Sequence, residues 1–251
     1  MAELKPQRYK DPRPAESVSY VHDWVRTHPP GWTYELVRMI ITPLTLFVYR
    51  GRGINTSNVP ADGPFILAPN HFSNLDHFLI AAFLRRKVQF MAKSQLFGPN
   101  PVFDYIFRVG GVFPVRRGHH DQEAFITAHA ILERGGCVCM YCEGGRSRTG
   151  RLGEARPGVG RLALESGVPV IPVAVHGSST VRRWKRLRFA KVTIQFGAPL
   201  SFPVVEQPTR EQQLEAARRI FNRVKEMYGP LEERGRREVL KTLPELSSGT
   251  G

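Results

Sequence analysis

From Phe65 onward, short runs of apolar residues alternate with longer segments in which apolar positions recur every three or four residues. The short runs predict strands at Phe65–Pro69, Val88–Met91, Val112–Val115, Cys137–Tyr141, Val170–Val175 and Val192–Phe196. The periodic segments predict helices at Leu75–Arg86, Pro101–Arg108, Asp121–Glu133, Val159–Ser166 and Arg210–Tyr228. Thr209-x-x-Gln212 fits a capping box at the start of the last one. This alternation predicts an α/β fold, a single domain with a largely parallel central sheet flanked by helices. Beyond Gly229 the chain is charged and weakly periodic, which predicts a docked helix and a loose end.

The chain before Phe65 has a different pattern. Its first fourteen residues, with three prolines and alternating charges, read as a mobile leader. A short helix is predicted over Ala15–Thr27, closed by His28-Pro29-Pro30-Gly31. The segment Trp32–Tyr49 is more apolar, and its longest uncharged run, Met39–Tyr49, has eleven residues. As a helix that run is about 16 Å long, roughly half of a bilayer's hydrocarbon core, so it does not span a membrane. Two readings stay open. It is an ordinary core helix, or it lies in one leaflet with Trp32, Tyr34 and Tyr49 at the polar boundary and Arg38 and Arg50 near headgroups. The organisation expected is a leader and two-helix segment over 1–50, an α/β domain over 51–228 and a tail over 229–251.

Charge narrows the partners. The 251 residues carry a net +14, and 28 of the 36 bases are arginine. Twelve bases against four acids fall in residues 131–200. Such a patch attracts nucleic acid, anionic lipid headgroups or a phosphorylated or acidic ligand. The run Arg182–Arg188, with five bases in seven residues, fits RNA, anionic lipid or a solvated loop. The N-terminus has no secretory pattern and three cysteines make no disulfide framework, which points to a reducing cytoplasm. Cys137, Cys139 and Cys142 form C-x-C-x-x-C, but on a strand the last two face opposite ways. Buried strand residues are expected there rather than a zinc site. Asn55-Thr56-Ser57 fits a glycosylation sequon by chance.

Candidate chemistry gathers at strand ends. After Phe65–Pro69 come His71 and Asp76, five residues apart. On one straight helix they would stand about 140° apart. They meet only if His71 sits on the strand-to-helix turn and Asp76 in the first helical turn, which makes a His–carboxylate dyad with one ring nitrogen left as a base. Ser73-x-x-Asp76 also fits a helix cap. After Cys137–Tyr141 comes Cys142-Glu143-Gly144-Gly145-Arg146-Ser147-Arg148, where glycines allow close backbone approach and arginines suit phosphate. Arg116 and Arg117 follow another strand, and Lys93 a third. No P-loop, Rossmann or nucleic-acid-binding motif is present.

In order, these pieces resemble the glycerolipid acyltransferase family typified by 1-acylglycerol-3-phosphate acyltransferase. The H-x4-D box reads His71…Asp76, and the second block Gly111-Val112-Phe113-Pro114-Val115-Arg116-Arg117. The third, usually F-P-E-G-T-R-S, reads Tyr141-Cys142-Glu143-Gly144-Gly145-Arg146-Ser147, and the fourth is Val168-Pro169-Val170-Ile171-Pro172-Val173. Tyr141-Cys142 replaces Phe-Pro, and Gly145 replaces Thr. The resemblance implies His71 as general base and Asp76 as its orienting partner. It implies an acceptor phosphate site of Arg117, Glu143, Gly144 and Arg146, with Lys93 added.

The implied reaction is direct acyl transfer from a thioester of coenzyme A or acyl carrier protein to a lysophospholipid or glycerol phosphate. No metal, no other cofactor and no nucleic acid enters it. The implied location is the cytoplasmic face of the cell membrane, peripheral or monotopic, against an anionic surface. Phe78, Leu79, Phe83, Phe97, Phe103 and Phe107 line an acyl groove or belong to the core. A basic RNA-associated protein would account for the charge but not for the dyad, and a non-catalytic lipid-binding module for the apolar segment alone.

Overall fold

The computed structural model describes residues 11–116, 121–147, 149–179 and 191–242. Seven strands form one sheet: β1 (Arg52–Ile54), β2 (Phe65–Pro69), β3 (Gln89–Lys93), β4 (Phe113–Val115), β5 (Cys137–Cys139), β6 (Val170–His176) and β7 (Thr193–Phe196). Their order across it is β1-β7-β6-β2-β5-β3-β4. Every pairing is parallel except β6 with β7. The central strands β2, β5 and β6 are buried along nearly their whole length. Unbroken apolar runs such as Phe65-Ile66-Leu67-Ala68 are what a parallel sheet covered on both faces requires.

Two helical layers supply that cover. On one face lie α2 (Trp32–Pro43) and α3 (Asp76–Ala81), whose Tyr34, Leu79 and Ile80 pack with Phe65, Leu67 and Cys139. On the other lie α1 (Ser19–Thr27), α5 (Gln122–Glu133), α6 (Pro157–Ser166) and α7 (Arg210–Glu233), packed over Ile66, Val138 and Val170. The short helix α4 (Pro101–Val109) follows β3, and α8 (Gly235–Thr242) follows α7. Helix α6 presses directly on α7, because a Cβ at Gly160 would come within 1.9 Å of the Gln213 carbonyl oxygen. Only glycine permits that approach.

Local signals set the helix ends. Asn100 caps α4 by accepting from Val102 and Phe103 N–H, and Pro101 fills the first helical position. Thr209 and Gln212 close the expected capping box on α7. That helix does not stop at Tyr228. It runs on to Glu233, where Leu231 packs with Val239 of α8 and Ile54 of β1. The leader is also more ordered than expected from residue 11 onward. The Asp11 carboxylate takes Arg13 and the Ser94 hydroxyl, and Arg13 donates to the Phe97 carbonyl. Arg13 holds the Asp11 carboxyl well below the usual carboxylate range.

The sheet has a topological switch at its centre. From β2 the chain crosses through α3 to β3 on one side, and from β5 through α6 to β6 on the other. β2 and β5 are neighbours, so their connections leave in opposite directions over opposite faces. A crevice opens between such strands at their carboxyl ends, which is where α/β sheets bind ligands.

Candidate active site

The loops after β2 and β5 meet at this crevice. Asn70 directly follows β2, donating to the Val175 carbonyl at 3.0 Å and accepting from Val175 N–H at 2.7 Å, so the strand end is pinned to β6. His71 follows, and the β5 loop holds both of its backbone groups. Its N–H donates to Glu143 Oε2 at 2.8 Å, and its carbonyl accepts from Ser147 N–H at 2.8 Å. The other Glu143 oxygen accepts from Gly153 N–H at 2.7 Å. Glu143 thus ties the turn carrying His71 to the far end of its own loop, and this burial raises its carboxyl pKa. Sequence reasoning grouped it with the phosphate-binding residues and missed this clamp.

Asp76 is the first residue of α3 and is fully buried. Its Oδ2 accepts three bonds: from His71 Nδ1 at 2.7 Å, Phe72 N–H at 2.7 Å and Ser73 N–H at 2.8 Å. An oxygen already accepting from two backbone N–H groups needs a donor from the ring, so the proton sits on Nδ1 and the lone pair on Nε2. The Ser73 hydroxyl accepts from Leu75 N–H, while Asp76 returns a bond to the Ser73 backbone. The cap expected from Ser73-x-x-Asp76 does not form, since Leu75 is the cap residue of α3 and no side chain caps it; the Asp76 oxygen instead ties the turn before the helix while holding the imidazole. Asp76 Oδ1 has no hydrogen-bond partner among the described residues.

The Tyr141 ring stacks on the imidazole, centroids 3.8 Å apart and planes 17° from parallel. Tyr141 stands where the family's third block has phenylalanine, so the aromatic face is kept. Its hydroxyl is buried with no hydrogen-bond partner among the described residues.

His71 opens on a cavity of about 300 Å3 whose walls include Asn74, Lys93, Tyr141 and Arg146. Lys93 and Arg146 bring two cations from two different strand ends, and no carboxylate joins them among the described residues of the lining. His77, Phe78, Phe90, Phe107 and Val112 form the inner wall and also line a second, almost wholly apolar cavity of about 340 Å3 between α2, α3 and α4. The two cavities share those walls. Burial drives the His77 pKa down to about 4, so this residue adds no charge to the apolar channel at neutral pH. Of the six candidate groove residues, Phe78, Phe103 and Phe107 line the channel, whereas Leu79 and Phe97 are core. Phe83 packs against Gly51 and Gly53 at β1.

The structure thus brings together His71, Asp76, Lys93 and Arg146. Gly144, with φ of 63°, makes the left-handed turn that reverses the loop, and faces Arg156 rather than the cavity. Arg117 lies outside the described residues, as do Arg148 and the basic run Arg182–Arg188. Cys137, Cys139 and Cys142 are free and buried, on the two faces expected, with thiol pKa values raised by burial. No group of three or more His, Cys, Asp or Glu able to hold a metal occurs among the described residues.

Comparison with known proteins follows the same blocks. A family model described as Acyltransferase matches residues 52–176. The chloroplastic 1-acyl-sn-glycerol-3-phosphate acyltransferase BAT2 of Brassica napus is 29% identical over 127 residues, 49% of this chain and 36% of its own length. A probable 1-acyl-sn-glycerol-3-phosphate acyltransferase of Mycoplasma pneumoniae is 29% identical over 176 residues, 66% of this chain and 64% of its own length. The chain therefore spans less than two thirds of either relative. The crystal structure of the 1-acyl-sn-glycerophosphate acyltransferase PlsC from Thermotoga maritima superposes with a TM-score of 0.60, covering 87% of this chain and 91% of that one at 20% identity, and shares its fold. With the dyad and the glycine turn at one crevice, the chain belongs to the acyltransferase family typified by 1-acylglycerol-3-phosphate acyltransferase.

Proposed function

We propose that this chain transfers a fatty acyl group from an acyl thioester to the free hydroxyl of 1-acylglycerol-3-phosphate, giving phosphatidic acid. The observation that carries this reading is the His71–Asp76 pair at a cavity that, among the described residues, is lined by two cations and no acid and shares its inner wall with an apolar cavity. Each part matches one part of the substrates. The acceptor phosphate lies against Arg146 and Lys93, with Arg117 a further candidate from the sequence. The acyl chain lies along the channel past His77, where each buried methylene contributes about 0.8 kcal/mol.

A glycerol hydroxyl is a weak nucleophile at neutral pH, and an imidazole with an ordinary pKa near 6.5 can take its proton as the bond to carbon forms. The hydroxyl oxygen attacks the thioester carbonyl, and His71 Nε2 takes the proton. The carbon–sulfur bond then breaks, and the thiolate leaves with that proton returned by the imidazolium. Asp76 holds the ring and balances its transient charge. No acyl-enzyme forms, so Ser73 and the buried cysteines have no nucleophilic part. The purified chain supplied with radiolabelled acyl-coenzyme A or acyl carrier protein should label 1-acylglycerol-3-phosphate. Label entering only glycerol 3-phosphate would move the acceptor, and no transfer to any acceptor would sink the reading.

The membrane belongs to the same proposal. No helix among the described residues is long and apolar enough to cross a bilayer. Yet Trp32, Met39, Ile40 and Phe47 on α2 and the wider turn after it are each more than half exposed, as are Val102 and Phe103 on neighbouring α4. Tyr34 is not at the boundary expected for it, because its ring is in the core and its hydroxyl accepts from Val88 N–H. The exposed set suits insertion into one leaflet, and the net positive charge suits the anionic cytoplasmic one. Phe47→Asp, at a site 79% exposed, should leave the fold intact and release the protein from anionic vesicles in a flotation assay. Full release of the unaltered protein by salt alone would count against an inserted helix.

A further inference from the structure

A third cavity, a cleft, opens on the sheet face opposite α2 and the apolar cavity. It measures about 400 Å3 and lies between α7 and the chain entering α6. Arg210, Leu214, Arg218, Asn222 and Lys225 recur about one turn apart and form its α7 wall. Arg156 stands on the other wall, beside Glu154, the one acid among the described residues of the lining. All four bases are solvent-exposed, and none has an ion-pair partner among the described residues. Leu214, Phe221 and Pro157 give the cleft an apolar floor. Unpaired bases ranged along one concave wall form a site for a ligand with several negative charges.

The cleft also adjoins the back of the crevice. Glu154 follows Gly153, whose N–H holds Glu143, and Arg156 N–H donates to the Cys142 carbonyl. The Arg156 side chain lies 3.3 Å from where a Gly144 Cβ would stand, and the Lys225 charge reaches Glu143. One loop therefore separates this cleft from His71.

We propose that this cleft binds the phosphorylated nucleotide end of coenzyme A, so that the acyl donor approaches from the face opposite the exposed apolar patch. The inference rests on the thioester-donor reading above and adds the identity of the carrier. Size and shape favour a nucleotide. The volume falls in the range of about 300–1,000 Å3 typical of small-molecule pockets, whereas an acidic helix of a carrier protein would meet a flat or convex surface. The charge fits as well, since a phosphomonoester carries roughly −1.5 to −2 at neutral pH and the diphosphate adds to it. A lipid headgroup fits poorly, because the exposed apolar residues of α2 lie across the sheet.

Calorimetric titration of the full chain with adenosine 3′,5′-bisphosphate, inorganic phosphate and adenosine tests this directly. The bisphosphate should bind, adenosine should not, and inorganic phosphate should bind much more weakly. Arg218→Ala and Lys225→Ala should each weaken the bisphosphate about tenfold, since bonds to a phosphate are charge-assisted. His71→Ala should leave its binding unchanged. In turnover, the same α7 variants should raise KM for acyl-coenzyme A about tenfold and leave kcat and the KM for acyl carrier protein alone. No bisphosphate binding, binding indifferent to both variants, or phosphate binding as tight as the bisphosphate would overturn the proposal. So would a rise in KM confined to acyl carrier protein, which would make the cleft a protein-docking surface. If the bisphosphate binds as described but no donor supports transfer, the site stands and the acyltransferase reading fails.

Discussion

His71→Ala should lower acyl transfer by at least about a hundredfold while the protein stays folded, since general-base catalysis contributes roughly 10²–10⁴. The fold should survive because the loop is held through the His71 backbone, by Glu143 and Ser147, and because Asp76 still accepts from Phe72 and Ser73 N–H. Asp76→Asn is the sharper test. Two backbone N–H groups require an oxygen where Oδ2 now lies, so the asparagine carbonyl takes that place and still accepts from Nδ1. The ring keeps its tautomer and loses the negative charge that balances the imidazolium. The asparagine amide nitrogen enters the place of Oδ1, which is buried with no partner among the described residues. Activity should therefore fall steeply at unchanged KM, with a modest loss of thermal stability. Thermal unfolding and single-turnover transfer on both variants separate the two effects. A folded His71→Ala protein with full activity would remove the base. An Asp76→Asn protein that melts early, but whose folded fraction is fully active, would leave Asp76 a loop-tying role alone.

The central sheet was legible because a strand buried on both faces must be apolar throughout. Phe65–Pro69 appears as read, and the other five expected strands appear with one or both ends moved by one or two residues. β1 was missed, since its three residues, Arg52-Gly53-Ile54, carry no apolar run and pair only because β7 offers an edge. α3 ends at Ala81 rather than Arg86, and the Arg86 guanidinium instead reaches the Gly135 carbonyl and lies 5.3 Å over the Phe65 ring. Such long-range bonds leave no periodic trace. The same limit applies to the site. His71 and Asp76 are close in sequence and could be paired from spacing, whereas Glu143 and the His71 N–H are 72 residues apart. The α7 bases carry no signal of their own beyond the helical period, and only packing against residues 154–157 makes them the wall of a cleft.

Arg146→Ala should reduce kcat/KM on 1-acylglycerol-3-phosphate by about tenfold to a hundredfold, since a hydrogen bond to a charged group is worth roughly 1.5–3 kcal/mol. Arg146 follows β5 and Lys93 ends β3, so only the folded crevice brings both to one cavity. With no carboxylate among the described residues of that lining, loss of the guanidinium leaves an acceptor phosphate facing one fewer cation. Lysine at 146 should rescue weakly, because an ammonium does not reproduce the forked contact. The decisive comparison uses the same monoacylglycerol with and without its phosphate. A phosphate ligand costs activity on the first acceptor and makes little difference on the second. An equal loss on both would mean that Arg146 only supports the loop that holds His71, through its neighbour Ser147, and the acceptor phosphate would have to be sought elsewhere in the crevice.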